Sequence, residues 1–92
     1  MSSNSDKKHF VYILLTEKGH YYCGYATDVE KRFQKHVSGK GAKYTRSDKP
    51  VKIVYKKELP TKSEALKLEY KIKQLSHDEK TDLINHPYTK KF

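Results

Sequence analysis

The sequence has few of the residues that stabilise small proteins through covalent or metal links. None of the 92 residues is tryptophan and only Cys23 is cysteine, so neither a disulfide nor a cysteine zinc site is expected. The five histidines lack the close pairs that put two metal ligands on one helical face. No apolar run approaches the ~20 residues that cross a bilayer, and the polar N-terminus lacks a signal-peptide stretch. These absences predict a cytoplasmic protein.

Apolar residues are also scarce, at 35% of the chain. Eight tyrosines compensate in part, since each can bury a ring while its hydroxyl reaches a partner or water. A formal charge of +9, from 20 Lys and Arg against 11 Asp and Glu, points to a polyanionic partner, with nucleic acid favoured over a membrane surface. A chain of this length has room for one hydrophobic core, so we expect a single-domain monomer.

Three segments have the composition of strands. The run FVYILL from Phe10 is apolar throughout and too short for a buried helix, so it predicts a central strand covered on both faces. A glycine-containing loop, TEKGH, separates it from YYCGYA, and together they predict a hairpin. The third segment, VKIVYKKEL, alternates Val51, Ile53 and Tyr55 with lysines, apart from one valine, and ends at Pro60.

Three further segments are expected to be helical. Thr27 and Glu30 form a capping-box pattern ahead of a helix that should stop at Gly39. Its buried stripe is expected to be Val29, Phe33 and Val37. Similar patterns open helices at residues 61 and 76. The order β-β-α-β-α-α predicts an α+β domain, a three-stranded antiparallel sheet flanked by helices, over residues 9–86 between polar tails 1–8 and 87–92.

Two tyrosines of the hairpin share one face if the loop has three residues. With a loop from Glu17 to Gly19, Tyr12 lies opposite Gly24 and Tyr22 lies diagonally from Tyr12. Gly24 would then leave space beside the first ring. A two-residue loop would move Tyr22 to the other face, and ordinary sheet packing would also account for both rings.

Arg32 and His36 lie one helical turn apart, so they project side by side along the edge of the predicted apolar stripe. A guanidinium suits a phosphate or a pentacoordinate phosphorus, and an imidazole can move a proton near neutral pH. A solvated helix edge is the plainer alternative in a chain with 20 basic residues.

Glu69 falls against the apolar stripe of its helix, and a carboxylate at a core boundary needs a partner. Lys73, one turn later in the favourable order, could supply it. A hard divalent cation could do so as well, bound by one carboxylate, waters and a substrate phosphate. Spacing alone does not choose between the two.

The loop GKGAKYTRSDKP is the most cationic segment of the chain. It contains four basic residues, Lys40, Lys43, Arg46 and Lys49, and a single acid, Asp48. These side chains could grip a nucleic-acid backbone while Tyr44 stacks on a base.

Taken together, these residues resemble the GIY-YIG endonuclease superfamily, in particular its small stand-alone bacterial members. The motif halves appear as VYI, from Val11 to Ile13, and YCG, from Tyr22 to Gly24. RFQKH on the next helix, GKGAKYTR in the loop and SEALKLEYKIKQLS with the acid follow in order. The resemblance covers roughly residues 9–84 and agrees with the predicted order of elements.

The resemblance implies a role for each candidate residue. Tyr12 and Tyr22 would be the active-site phenols, one of which helps to activate or position the attacking water. Arg32 would steady the charge on the phosphoryl oxygens, and His36 would lie beside the site. Glu69 would hold a single divalent metal ion, Mg2+ or Mn2+.

The expected function is therefore a metal-dependent endonuclease that hydrolyses nucleic-acid phosphodiester bonds, with DNA as the expected substrate and repair or recombination as the expected setting. The alternative is a catalytically weak or inactive nucleic-acid-binding module. Many family members carry an asparagine on the helical segment after the metal-binding acid, whereas here the only later one is Asn85. A third alternative is a protein-interaction domain whose basic face meets an acidic partner.

Overall fold

A computed structural model describes residues 8–38 and 48–87. These residues form β1 (His9–Thr16), β2 (Tyr21–Ala26), α1 (Val29–Val37), β3 (Pro50–Leu59), α2 (Lys62–Lys73) and α3 (His77–Asn85). The strands make one antiparallel sheet in the order β2-β1-β3, which confirms the predicted fold class and element order. The predicted tails lie mostly outside the described residues.

The hairpin between β1 and β2 has the three-residue loop that the sequence predicts. The Thr16 amide donates to the His20 carbonyl at 2.9 Å, which closes the loop over residues 17–19. Gly19 adopts a φ of +80°, a left-handed conformation that glycine takes without steric cost. The loop length fixes the register of the whole hairpin, because a shift of one residue would turn every side chain to the opposite face.

Helices cover both faces of the sheet, and β1 is buried between them. Val11 to Leu14 are at most 1% exposed, as predicted for a central strand. On one face lie α2 and α3, which pack Ala65, Leu68, Ile72 and Leu83 against Val11, Ile13, Cys23 and Tyr55. On the other lies α1, whose Val29 packs with Tyr12, Leu14 and Ala26. Within the part of the chain that is described, none of the helices has the length and apolar character needed to span a membrane.

The buried face of α1 differs from the predicted stripe. Val37 is 40% exposed, whereas His36 is completely buried. Residues spaced by four drift by about 40° per step around a helix, so the third member of the stripe turns away from the sheet and His36 takes its position. The helix also begins one residue later than predicted, because Asp28 rather than Thr27 caps it and accepts from the Lys31 amide.

The third strand contains a β-bulge that the alternation did not predict. Ile13 pairs with Tyr55 while the next residue, Leu14, pairs with Ile53, so Val54 is the extra residue. A bulge of one residue reverses the side-chain alternation beyond it. Ile53 therefore packs on the α1 face and Tyr55 on the opposite face, whereas the alternation of Val51, Ile53 and Tyr55 with lysines predicts one shared face.

Candidate active site

Tyr12 and Tyr22 lie on the sheet face that α1 covers. Tyr12 pairs with Gly24 across the hairpin, the register expected from a three-residue loop. A Cβ atom built on Gly24 would lie 2.5 Å from the Tyr12 hydroxyl oxygen and 2.6 Å from its Cζ. The Tyr12 ring therefore fills the space that a side chain at position 24 would need. Tyr12 is only 1% exposed.

His36 reaches both tyrosines from α1. Its Nε2 lies 3.3 Å from the Tyr12 hydroxyl, and its ring meets the Tyr22 ring edge-on with centroids 5.0 Å apart. Burial, and then the positive charge of Arg32, lower the pKa of His36 below its ordinary 6.5. The imidazole is thus neutral at neutral pH, and Nε2 can exchange a proton with the Tyr12 hydroxyl.

Arg32 lies one turn before His36 at the exposed rim of the cluster. Burial raises the pKa of Tyr12 to about 12, although a hydrogen bond from Arg32 and the charge of that guanidinium act in the opposite direction. Tyr12 is therefore a protonated phenol at neutral pH. Arg32 also lines an open groove of about 400 Å³, together with Lys31 and Lys35 of the same helix. A phosphate could approach the guanidinium through this groove.

Glu69 comes from α2, on the opposite face of the sheet from α1. The side chain is 18% exposed, and its carboxylate lies 3.3 Å from the Lys73 ammonium, the partner that helical spacing offered. The Glu69 carbonyl accepts a hydrogen bond from Cys23 Sγ at 3.9 Å. Because Cys23 lies between Tyr22 and Gly24 on the edge strand β2, Glu69 is level with the tyrosines but behind that strand.

The structure thus brings together Tyr12, Tyr22, Arg32 and His36. The fifth candidate catalytic residue, Glu69, lies in a different environment. Within residues 8–38 and 48–87, no group of three acidic, histidine or cysteine side chains could hold a metal ion. Glu69 offers one partly exposed carboxylate, of which one oxygen is paired with Lys73. Mg2+ usually keeps several waters and binds through one or two carboxylates and substrate phosphates. A metal ion at Glu69 would therefore need water and substrate oxygens for its other ligands.

The cationic loop lies mostly outside the described residues. Lys40, Lys43, Tyr44 and Arg46 fall there, and Lys49 is exposed immediately before β3. Asp48, the lone acid of that loop, is buried and accepts hydrogen bonds from the Thr16 hydroxyl at 2.6 Å and the Lys18 amide at 3.0 Å. The sequence patterns assign no role to Asp48, although a single carboxylate among four cations could have indicated one.

Comparison with known proteins identifies the relatives of this chain. A model of the GIY-YIG catalytic domain matches residues 8–82. The chain is 51% identical over 78 residues to the UPF0213 protein SSP2268 of Staphylococcus saprophyticus, covering 85% of this chain and 95% of the relative.

Two solution NMR structures are similar to the present fold. The UPF0213 protein BH0048 of Bacillus halodurans is 47% identical with a TM-score of 0.56, covering 85% of this chain and 83% of that one. The protein EF2693 of E. faecalis is 34% identical with a TM-score of 0.63, covering 94% and 92% respectively.

Proposed function

The chain belongs to the GIY-YIG family, and from this membership we propose that it is a metal-dependent endonuclease that hydrolyses phosphodiester bonds in DNA, in repair or recombination. The proposal is supported above all by the contact of His36 Nε2 with the Tyr12 hydroxyl at 3.3 Å, beside Tyr22 and beneath Arg32. Two phenols, a neutral imidazole and a guanidinium in one cluster form a set suited to binding a phosphodiester and moving a proton.

Each of these side chains has a distinct task in the proposed reaction. Arg32 binds the non-bridging oxygens and stabilises the charge that grows on them during in-line attack. Tyr22, the less buried phenol, positions the attacking water. The proton that the water releases can pass to neutral His36 when its Nε2–H donates to the Tyr12 hydroxyl oxygen, because Nδ1 is then the basic nitrogen. A divalent ion bound at Glu69 would act as a Lewis acid and lower the pKa of bound water.

The basic residues of the loop before β3 are proposed to hold the nucleic-acid backbone. Lys40, Lys43, Arg46 and Lys49 would contact phosphates, and Tyr44 would stack on a base. Asp48 ties the end of this loop to the hairpin that carries both active-site tyrosines. Such a tie would hold Lys49, the residue after Asp48, close to the hairpin.

A nicking assay tests the nuclease proposal. Supercoiled plasmid, single-stranded DNA and branched DNA are incubated with the purified protein and Mg2+ or Mn2+. We expect cleavage by the wild type and a loss of about 100-fold or more in Arg32→Ala and Glu69→Gln, the scale seen when one transition-state contact is removed. Glu58→Gln, an exposed acid on β3, is the matched control and should cleave normally.

Two outcomes would count against an enzyme. One is no cleavage by the wild type in either metal, and the other is equal cleavage by wild type, Arg32→Ala and Glu69→Gln. The second candidate function, a binding module without catalysis, is favoured by the ion pair of Glu69 with Lys73, which already satisfies the carboxylate. It predicts DNA binding that a chelator does not change, together with intact plasmid.

A further inference from the structure

The outer face of α2 carries an apolar pair that the fold does not use. Tyr70 is 67% exposed and Leu66 is 42% exposed, and they lie one turn apart on the side of the helix away from the buried Ala65 and Ile72. An open hollow of about 420 Å³ lies over the pair and is also lined by Lys67. Only 35% of the chain is apolar, so the exposure of two large apolar side chains that do not pack in the core needs an explanation.

Lysines border this apolar pair on both sides. At about 100° per residue, Lys62 and Lys73 flank it on one edge of the helix, and Lys67 and Lys71 flank it on the other. All four are exposed. The acids of the helix, Glu64 and Glu69, lie beyond these lysines, and Glu69 is paired with Lys73. The ammonium of Lys62 lies 6.0 Å from the centre of the Tyr25 ring. The side of Tyr70 that faces Lys67 and Lys71 is therefore the positively charged one.

This arrangement suits one class of ligand. An exposed aromatic ring beside lysines can stack on a nucleic-acid base while the lysines bind the adjoining phosphates. A second copy of the chain is disfavoured, since a symmetric contact would set the lysines of one copy against the same lysines of the other. Bases in an intact duplex hide their faces in the stack, so the ligand must carry unpaired bases.

We propose that Tyr70 and Leu66 form a stacking platform for an unpaired base, so that the preferred substrates are nucleic acids with a single-stranded segment. This inference deepens the proposed function and rests on it, because Tyr70 directly follows Glu69 along α2. A strand whose phosphate reaches Glu69 can lay a neighbouring base on the platform. Duplex DNA without unpaired bases would reach the same catalytic residues without this contact.

Fluorescence anisotropy in the presence of EDTA tests the platform, since binding is then measured without cleavage. The probes are a labelled single strand, a blunt duplex of the same sequence and a duplex with a single-stranded overhang. We expect Tyr70→Ala to weaken binding to the single strand and the overhang by about 5-fold or more and to leave the blunt duplex unchanged. Tyr70→Phe should bind as the wild type does, because it keeps the ring.

Two further variants sharpen this test. Val51→Ala removes a comparable apolar side chain, 54% exposed on β3, and should change none of the three affinities. Lys67→Gln with Lys71→Gln should flatten the plot of log affinity against log salt for the single strand by about 0.7 for each phosphate that the lysines no longer neutralise. A photocross-link from an iodouracil base to Tyr70, located by mass spectrometry, would report the stacking directly.

Several outcomes would overturn the inference. Three concern binding: unchanged affinity of Tyr70→Ala for the single strand, an equal loss of affinity for the blunt duplex, or failure of Tyr70→Phe to bind. The fourth is a molecular mass of Tyr70→Ala in light scattering that is lower than that of the wild type, as expected if the apolar pair joins two copies of the chain. Cleavage by the wild type with unchanged affinity of Tyr70→Ala would reject the platform and keep the nuclease. Loss of single-strand affinity in Tyr70→Ala with no cleavage by the wild type would keep the platform and reject the nuclease.

Discussion

Gly24 and Tyr12 share a space that holds only one side chain, and this makes the glycine a test of the site's packing. Because a Cβ at position 24 would lie 2.5 Å from the Tyr12 hydroxyl, Gly24→Ala must displace the ring. We expect the free energy of unfolding to fall by about 1–3 kcal/mol, the usual cost of overpacking. Urea unfolding followed by circular dichroism measures it.

A double-mutant cycle separates this clash from other effects of the added methyl group. In a Tyr12→Leu background the ring atoms that meet the new Cβ are gone, so Gly24→Ala should cost less than in the wild type. An equal cost in both backgrounds would mean that the strand, not the tyrosine, demands glycine.

His36 should make the protein sensitive to mild acid. The pKa of His36 in the folded state lies below its ordinary 6.5 because of burial and then the charge of Arg32, so the unfolded chain binds the proton more tightly. Stability therefore falls as pH drops from about 6.5 toward the folded pKa. We expect the melting temperature of the wild type to decline over this window and that of His36→Gln to decline less.

Differential scanning fluorimetry between pH 8 and pH 5 makes this comparison. His36→Gln will be less stable throughout because it disturbs a buried contact with Tyr12, but the slope against pH is the quantity of interest. Equal slopes in the two proteins would show that His36 does not carry the linkage.

At the level of elements, Asp48 joins the hairpin to β3. Burial by itself would raise the pKa of Asp48, but hydrogen bonds from Thr16, His20 and the Lys18 amide lower it below the ordinary 3.8. A carboxylate of this kind stabilises the fold above its unfolded pKa, and that contribution is lost as pH falls through the folded pKa. Asp48→Asn should therefore be less stable than the wild type at pH 6, with the difference closing below about pH 4.

Chemical unfolding at pH 6 and at pH 3.5 measures both parts of this prediction. Asp78→Asn, in the exposed first turn of α3, is the matched control and should not show the same convergence. A constant difference between Asp48→Asn and wild type across this range would contradict the assignment.

The elements differ in how well the sequence predicted them, for physical reasons. The hairpin register follows from local chemistry, since a three-residue loop ending in a left-handed glycine has few alternatives. The helix starts at residues 61 and 76 likewise depend on nearby side chains, and both caps are present. The burial of His36 is different, because it depends on a hydrogen-bonding partner, Tyr12, that is distant in sequence. Hydropathy does not reveal such a partner and so did not predict the burial of His36, whereas Val37 is exposed because of the drift of residues spaced by four.

The bulge at Val54 and the environment of Glu69 show the same limit. A bulge is a property of two paired strands, and β3 alone shows only a lapse in alternation. The spacing on α2 offered Lys73 as a partner for Glu69 and the structure has that pair. The position of Glu69 behind β2 follows from how the helix packs across the sheet, which no local pattern contains.

For the whole molecule, the formal charge of +9 predicts that binding to duplex DNA depends strongly on salt. Each phosphate neutralised by a lysine or arginine contributes about 0.9 to the slope of log affinity against log salt. Lys49→Gln should lower the slope by about this amount, because Lys49 is exposed in the proposed backbone-binding loop. Anisotropy titrations at several salt concentrations measure it, and an unchanged slope would exclude Lys49 from the interface.

The buried position of Cys23 has a practical consequence for experiments. Burial, and then the charge of Glu69, raise the pKa of this thiol to about 12, so it stays protonated and resists alkylation. Since the chain has no other cysteine, a thiol introduced at an exposed position such as Ser38 would be the one that a maleimide modifies in the native protein. Dyes and spin labels can thus be attached at chosen points without replacing any natural residue of the sheet.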